Sequence, residues 1–239
     1  MSLYIGTSGW SYDDWRGRFY PGDIPRNKWL SWYGTHFATS EINGSFYRTP
    51  SEEAVRSWRK QTPPGFRFAW KASQFITHWK RLGESSANSI ELMVTRLKLL
   101  GPKCGPVLFQ LPARFEANEE RLASFLRMLP KKYEYAFEFR HSSWYSKSTL
   151  RLLESRSVAL CISDHHQAPA PWAITAPHAY VRGHGPGGRY KDNYSEQTLR
   201  LWARRIRRWQ QDGIETYAYF DNDQKSAAPA DARKLLELI

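Results

Sequence analysis

Cysteine is scarce in this chain of 239 residues, and long hydrophobic runs are missing. Cys104 and Cys161 lie far apart and share no CxxC or Cys/His metal-ligand spacing, so neither a disulfide framework nor a zinc finger is indicated. No basic leader precedes an apolar segment, and no apolar stretch reaches the roughly 18 residues of a membrane span. We therefore expect a soluble, cytoplasmic protein that makes no membrane contact.

Acidic residues are the minority among the charges, because 23 Asp and Glu stand against 35 Lys and Arg, a formal charge of +12. Such an excess favours anionic partners, either nucleic acid or phosphorylated small molecules. Part of it belongs to a predicted helix over 194–211, whose arginines are expected to face solvent. The charge therefore indicates the kind of partner rather than the position of a site. The sequence leaves the oligomeric state open.

Strand-like and helix-like runs alternate along the whole chain, which is the pattern of βα units around a parallel sheet. The predicted strands span 3–7, 38–42, 66–71, 107–111, 135–139, 158–162, 178–182 and 215–220. The predicted helices span 27–36, 51–61, 86–100, 118–129, 146–155, 194–211 and 226–238. Residues 163–177 contain Pro169, Pro171 and Pro177, which forbid a continuous helix. The sequence thus predicts one α/β domain over 1–239, a single TIM-type (β/α)8 barrel with an irregular sixth crossover.

Polar and charged residues stand at the carboxyl ends of the strand-like runs. In a barrel of parallel strands these ends meet on one face, where such barrels keep their active sites. We predict catalytic roles for Glu41, Lys71, Glu138 and His184. Substrate contacts are predicted for Ser8, Trp10, Asn43, Tyr47, His78, Gln110, Arg140, Trp144, Asp164, Arg182, Asp221 and Asn222.

Ordered motifs cover essentially the whole chain. They are Ile5-Gly6-Thr7-Ser8-Gly9-Trp10-Ser11-Tyr12 with Phe19-Tyr20-Pro21, Glu41-Ile42-Asn43 with Ser45-Phe46-Tyr47-Arg48, Lys71-Ala72 with Ile76-Thr77-His78, Gln110-Leu111-Pro112, Glu138-Phe139-Arg140-His141 with Ser143-Trp144, Asp164, Tyr180-Val181-Arg182 and Tyr219-Phe220. Together they resemble the domain of unknown function 72 family, also called YecE-like. The resemblance implies a TIM-type barrel, similar in architecture to the endonuclease IV and xylose isomerase group, with no established reaction.

Two positions depart from the pattern of the family that the chain resembles. Asp221 stands where the family tends to have asparagine, and Gly183 stands where a bulky residue usually separates the arginine from His184. An extra carboxylate at Asp221 is expected to favour a cation or a protonated group at the end of the eighth strand. Both departures change the predicted site locally.

Glu41 and Glu138 follow the second and fifth strands, which lie apart around a barrel. Two carboxylates that face one cavity divide acid and base roles when their environments separate their pKa values, an arrangement suited to sugar or phosphoester chemistry. The alternative is a buried ion network in which Arg140 or Lys71 neutralises Glu138. The sequence does not decide between the two interpretations.

Several cations are predicted to share the same mouth. Lys71 suits either a Schiff-base nucleophile or an electrostatic clamp on an anion, and the clamp is favoured. Arg140, Arg182 and His184 lie at strand ends too, which makes an anionic substrate more plausible than a neutral one. The alternative for Lys71 is a simple ion pair with one of the glutamates.

Metal ligation is the remaining chemical option. The histidines and carboxylates at the strand ends include enough ligand types for a divalent ion, but no HExxH spacing occurs and the neighbouring cations would repel a metal. We therefore predict no metal and no cofactor.

Trp10, Tyr47 and Trp144 are predicted to wall a ring-binding space, the alternative being that they pack the loops onto the barrel.

The leading functional hypothesis is a metal-independent barrel enzyme, of hydrolase or lyase type, that acts on an anionic substrate with a sugar or nucleoside portion. One alternative is a nucleic-acid-binding protein without catalytic activity. Another is a metal-dependent nuclease by analogy with endonuclease IV, although the fold alone carries little weight for function.

Overall fold

Residues 2–239, which the computed structural model describes, contain eight β-strands. β1 to β8 span Leu3–Ser8, Thr39–Ile42, Arg67–Lys71, Cys104–Gln110, Tyr135–Glu138, Ala159–Ser163, His178–Gly183 and Glu215–Phe220. Each strand pairs in parallel with the next, and β8 pairs in parallel with β1, so the sheet closes into a barrel. This closure confirms the predicted TIM-type barrel.

Seven α-helices of five or more residues surround the barrel within the described part of the chain. α1 to α7 span Trp29–Tyr33, Glu52–Gln61, Ala87–Leu100, Glu119–Met128, Lys147–Glu154, Glu196–Gln211 and Ala227–Leu238. Four of them begin after a serine or asparagine whose side-chain oxygen accepts a hydrogen bond from a backbone N–H of the first turn, namely Ser51, Asn118, Ser146 and Ser195. No helix within residues 2–239 is long and apolar enough to cross a membrane.

The sixth crossover is irregular, as the prolines predict. Residues 164–177 join β6 to β7 without a helix. Trp172 of this connection stacks on Trp209 of α6 and meets Trp202 edge-on, with ring centroids 5.7 Å apart in both pairs. An aromatic contact with the neighbouring helix thus supplies the apolar cover that a helix supplies at the other crossovers.

The helix α6 has the amphipathic pattern that the sequence predicts. Its buried side chains recur at three- and four-residue steps and include Leu199, Trp202, Ile206 and Trp209. Its exposed side chains include Arg200, Arg204, Arg207 and Arg208. These arginines lie on the exposed face of α6, opposite to the face that packs on the barrel, so they contribute to the net charge of the protein without entering the barrel.

Side chains along each strand alternate between the barrel interior and the layer beneath the helices. In β5, Ala136 and Glu138 point inward, whereas Phe137 points outward against Phe109 and Phe125. The apolar interior is small and consists of Ala69, Leu108, Ala136, Ala159, Cys161, Tyr180, Tyr217 and Tyr219. Inward positions at the carboxyl ends of the strands therefore place their polar side chains together in one opening, which we call the mouth.

Gly6 of β1 lies where no side chain fits, so a substitution at this position tests how tightly β1 packs against β2. A Cβ atom there would lie 2.2 Å from the Thr39 carbonyl oxygen and 2.7 Å from the Tyr33 hydroxyl. We expect Gly6→Ala to lower the free energy of unfolding by roughly 3 kcal/mol, because backbone of β2 must move. Urea denaturation measures this change. Gly22→Ala is the matched control, since nothing lies within 4 Å of its added Cβ, and equal stability of the two variants would contradict the packing argument.

Candidate active site

The mouth is organised around Arg182, whose side chain is completely buried. Its Nη2 donates hydrogen bonds to Glu41 Oε1 at 2.8 Å, to Asp221 Oδ2 at 2.9 Å and to Ser8 Oγ at 3.0 Å. Its Nη1 donates to Glu138 Oε2 at 2.9 Å. One guanidinium on β7 thus connects the carboxyl ends of β1, β2, β5 and β8, and brings together five of the residues predicted for the site.

Glu138 is paired with two arginines. Arg140 Nη2 lies 2.5 Å from Glu138 Oε1, on the side opposite to the contact with Arg182. Burial alone would raise the pKa of Glu138, but the charges of Arg140 and Arg182 outweigh it and hold that pKa well below its usual value. Glu138 is therefore a carboxylate at neutral pH and has no proton to donate. These contacts match the buried ion network that the sequence left open as an alternative.

Glu41 is saturated by hydrogen bonds in the same way. Its Oε1 accepts from Ser8 Oγ at 2.5 Å and from Arg182, and its Oε2 accepts from the Tyr180 hydroxyl at 2.6 Å. Tyr180 belongs to the interior core below the mouth, so the glutamate links the polar layer to the apolar layer beneath it. Both carboxylates predicted as an acid and base pair are thus held in place by the network.

Lys71 stands apart from the ion pairs. Its Nζ donates to Asn43 Oδ1 at 3.1 Å and lies 4.5 Å from the centroid of the Phe46 ring. Among residues 2–239, no carboxylate approaches this nitrogen within 4.0 Å, so the predicted alternative of an ion pair with a glutamate is not what the structure has. Burial and the charge of Arg182 lower the pKa of Lys71 to about 8. Lys71 is therefore a cation at neutral pH without a partner anion.

His184 lies between the network and Asp164. Its backbone N–H donates to Asp164 Oδ1 at 2.7 Å, and its Nδ1 lies 3.2 Å from the same oxygen. The other oxygen of Asp164 accepts from the Tyr194 hydroxyl. With its proton on Nδ1, the ring presents Nε2 as an acceptor to Arg182 at 3.1 Å and to Arg140 at 3.2 Å. Asp164, whose side chain is 31% exposed, thus fixes the orientation of the imidazole.

Asp223 is a functional candidate that the sequence reasoning passed over. Its carboxyl group lies beside Asp221 and the Tyr12 hydroxyl, and its Oδ1 accepts no hydrogen bond from the described residues. Burial and the charge of Asp221 raise the pKa of Asp223 to about 8. The group is therefore protonated at neutral pH. The spacing Asp221-Asn222-Asp223 was the available signal, because two carboxylates two residues apart after a strand can face the same opening.

Three of the predicted contact residues do not reach the mouth. Trp144 is completely buried outside the barrel, where it stacks on Phe139 at 4.8 Å. Trp10 is half-buried and meets Trp58 edge-on at 5.4 Å. The predicted ring walls Trp10 and Trp144 are therefore corrected to loop packing. Asn222 points away from the mouth because side chains alternate along the chain. Asn222 Nδ2 instead donates to Asp231 Oδ2 at 2.8 Å and so supports the loop after β8 from behind.

The remaining predicted residues lie at or near the opening. His78 is half-buried, and burial together with the charge of Lys71 lowers its pKa to about 4. Gln110 ends β4 in register with Glu138, and Tyr47 stands at the rim with 70% of its surface exposed.

The structure shows which side chains surround Asp221 and Gly183, the two positions that depart from the family pattern. Asp221 is a partner of Arg182, as described above. A Cβ atom on Gly183 would lie 2.9 Å from both Trp202 and the Tyr194 hydroxyl, and 3.1 Å from Phe220. These three side chains fill the space that a larger residue at 183 would need.

The side chains of residues 2–239, the part of the chain that the structure describes, form no metal-ligating cluster. No group of three or more His, Cys, Asp or Glu side chains there is placed to hold a metal ion. The histidines of the mouth contact arginines, a threonine or Asp164 instead.

A closed parallel barrel with its charged side chains gathered at the carboxyl ends of the strands defines a TIM-type α/β barrel protein. The family described as "Protein of unknown function DUF72" matches residues 4–239, and the chain belongs to this family. The resemblance noted in the sequence motifs is thereby confirmed.

Relatives of known sequence or structure support this assignment. UPF0759 protein YunF of Bacillus subtilis is 30% identical, over 99% of this chain and 94% of the relative. UPF0759 protein YecE of Escherichia coli K12 is 30% identical, over 87% and 82%. The crystal structure of a DUF72 family protein from Thermotoga maritima superposes with a TM-score of 0.90 at 27% identity, covering 100% of this chain and 99% of that one.

The role of Arg182 as the centre of the network makes a prediction about stability. Arg182→Met is expected to lower the free energy of unfolding by about 3–5 kcal/mol, because three buried carboxylates lose their shared partner. Chemical denaturation of the two proteins measures the difference. Arg204→Met, which removes an exposed arginine on α6, is the matched control and should leave stability unchanged. A fully stable Arg182→Met protein would show that the network does not hold the mouth together.

Proposed function

We propose that this protein is a metal-independent enzyme, of hydrolase or lyase type, that acts at the mouth on an anionic substrate with a sugar or nucleoside portion. The observation that carries the proposal is geometric: among residues 2–239 no carboxylate lies within 4.0 Å of Lys71 Nζ, and the buried Oδ1 of Asp223 accepts no hydrogen bond. Burial lowers the pKa of Lys71 and raises the pKa of Asp223, each to about 8. Opposite shifts of two groups in one opening are typical of residues that divide catalytic roles. Asn43 and the Phe46 ring hold Lys71 in position, and the Tyr12 hydroxyl lies beside Asp223.

Lys71 is proposed as the anion clamp. It is a cation below pH 8, and within residues 2–239 its side chain donates one hydrogen bond, to Asn43. An incoming phosphate or carboxylate would supply the charge partner that the network leaves missing. Only 6% of the residue's surface is exposed, so an anion that reaches Nζ leaves most of its water behind, which strengthens the attraction.

Asp223 is proposed as the general acid. Burial keeps its carboxyl group protonated at neutral pH, and among the described residues no arginine forms an ion pair with it, unlike Glu138. The Tyr12 hydroxyl, which donates to the Ser8 carbonyl at 2.5 Å, lies beside both Asp223 and Asn43. The acid and the clamp are thus joined through Tyr12 and Asn43. Protonation of a leaving oxygen by Asp223 would be the step that the site accelerates.

The sequence predicts acid and base roles for Glu41 and Glu138. This proposal assigns the acid role to Asp223 instead. The two glutamates remain carboxylates whose task is to position Arg182 and Arg140. His184 acts through its neighbours as well, since its imidazole accepts hydrogen bonds from both arginines while Asp164 orients it. Arg140 is engaged by Glu138, His184 and the Tyr190 hydroxyl, so the cation that remains available to a substrate is Lys71.

Separate variants test the two roles. Nucleotides and sugar phosphates are screened for thermal stabilisation of the protein, and each ligand found is then assayed for turnover. Lys71→Met is expected to weaken binding at least tenfold, whereas Asp223→Asn should keep the affinity and lose roughly a hundredfold or more in kcat. Lys60→Met, on the exposed face of α2, is the control. Unchanged kcat in Asp223→Asn would remove the acid from the proposal.

The pH dependence follows from the same two groups. Below pH 8 Lys71 is protonated and binds an anion, and Asp223 is protonated and donates a proton. We therefore expect both the affinity for an anionic ligand and kcat/KM to fall as the pH rises through about 8. Titration of binding and turnover between neutral and alkaline pH checks this expectation. A rate that instead rises through pH 8 would identify Lys71 as a neutral amine that acts as nucleophile or base.

A further inference from the structure

Three aromatic side chains beside the mouth stand in solvent. Tyr47 is 70% exposed, Trp79 is 68% exposed and Phe75 is 38% exposed, although this protein buries most of its large aromatic residues. We call these three residues the aromatic rim. Because exposed aromatic surface is unfavourable in water, a group of such side chains next to a site indicates a surface that contacts a partner.

The segment that carries two of these residues is well anchored. Phe75–Trp79 forms a single turn of π-helix, a conformation frequently found at functional sites. Ile76 and Thr77 within it are completely buried. The backbone N–H of Lys80 donates to the Phe75 carbonyl at 2.9 Å, which closes the turn. The exposure of Phe75 and Trp79 thus results from an ordered segment that points these rings outward while its middle is fixed in the core.

Tyr47 belongs to the same surface through Phe46. The Phe46 ring meets the Tyr47 ring edge-on at 5.0 Å and the His78 ring edge-on at 5.1 Å. The same Phe46 ring lies beneath Lys71 Nζ. Phe46 therefore links Tyr47, and through His78 the segment that carries Phe75 and Trp79, to the clamp in the mouth.

Positive charge accompanies the aromatic rim. Residues 43–51 and 72–83, the two loops that carry it, contain Arg48, Lys80 and Arg81 and no aspartate or glutamate. Lys80 Nζ lies 4.7 Å from the centroid of the Phe75 ring, so cation and ring share one surface. This local excess has the same sign as the net charge of +12 on the whole chain. A partner that fits must therefore offer flat rings and negative charge together.

We propose that the aromatic rim binds single-stranded nucleic acid, with unpaired bases stacked on Tyr47 and Trp79 and backbone phosphates on Arg48, Lys80 and Arg81. Stacking on exposed aromatic side chains between cations is the usual mode by which proteins hold single strands without regard to sequence. A duplex offers no free base faces to these rings, and a neutral glycan offers no charge to the cations. A phosphate of the bound strand would reach Lys71, and this last contact alone rests on the proposed function.

The test compares binding of a short fluorescent oligothymidine with that of a hairpin duplex, by anisotropy, at two salt concentrations. The Tyr47→Ala, Trp79→Ala double variant removes exposed rings and should fold normally. We expect it to bind the single strand at least tenfold more weakly than the wild-type protein. Leu201→Ala, which removes an exposed apolar side chain on α6, is the matched control and should bind like the wild-type protein.

Loss of single-strand binding in the rim variant, together with weaker binding at higher salt, supports the inference. Equal binding by the rim variant and the wild-type protein, tighter binding of the duplex, or no binding by the wild-type protein would each overturn it. Lys71→Met serves as a separate arm. Its effect reports on the clamp of the proposed function, whereas the rim variant reports on stacking, so failure of one proposal is distinguishable from failure of the other.

Discussion

Three carboxylates and three cations share the mouth of the barrel with almost no exposed surface, and their arrangement depends on the guanidinium of Arg182. Buried charges are costly unless they find partners, because the protein interior solvates them poorly. The planar fork of an arginine can donate in several directions at once, and here it meets Glu41, Glu138 and Asp221 from three different strands. The barrel mouth is therefore a buried polar cluster that is enclosed by the carboxyl ends of the strands.

This constraint separates the residues that hold the mouth from those that can react. A carboxylate that accepts from two arginines keeps its charge over the whole physiological pH range, so it contributes a fixed field. Lys71 and Asp223 lie at the edge of the network, where burial is not matched by a full set of partners. Their protonation states are therefore the ones that respond to pH and to a ligand. In the proposed function, Lys71 and Asp223 at the edge of the network act on the substrate, while the paired carboxylates at its centre keep Arg182 in place.

The fold was predictable from the sequence because its signal is repetitive. Each strand-like run is bounded by a helix-like run, and three prolines mark the single crossover that lacks a helix. The meeting of Glu41, Lys71, Glu138 and Arg182 was predictable for the same reason, since parallel strands in a closed sheet end on one face. Which of them pair with one another depends on the side-chain directions of several strands at once, and one sequence does not contain that information.

Other features of the site required the folded chain. Trp144 follows a strand end in sequence, yet the turn after β5 directs it onto Phe139 on the outer side of the barrel. Asn222 and Asp221 are neighbours in sequence but face opposite sides. The raised pKa of Asp223 depends on how deeply the loop after β8 is buried, and the exposure of Trp79 depends on the π-helical turn that presents it. In each case the deciding property is burial, which local sequence patterns do not specify.

The crowding around Gly183 has a consequence for how this branch of the family can change. Tyr194 and Trp202 occupy the volume that a side chain at 183 would need, and Tyr194 also contacts the carboxylate that orients His184. A larger residue at 183 therefore requires Tyr194, Trp202 and Phe220 to shift or to become smaller. Position 183 is in this way coupled to positions 194, 202 and 220, and a substitution at 183 should be accompanied by changes among them.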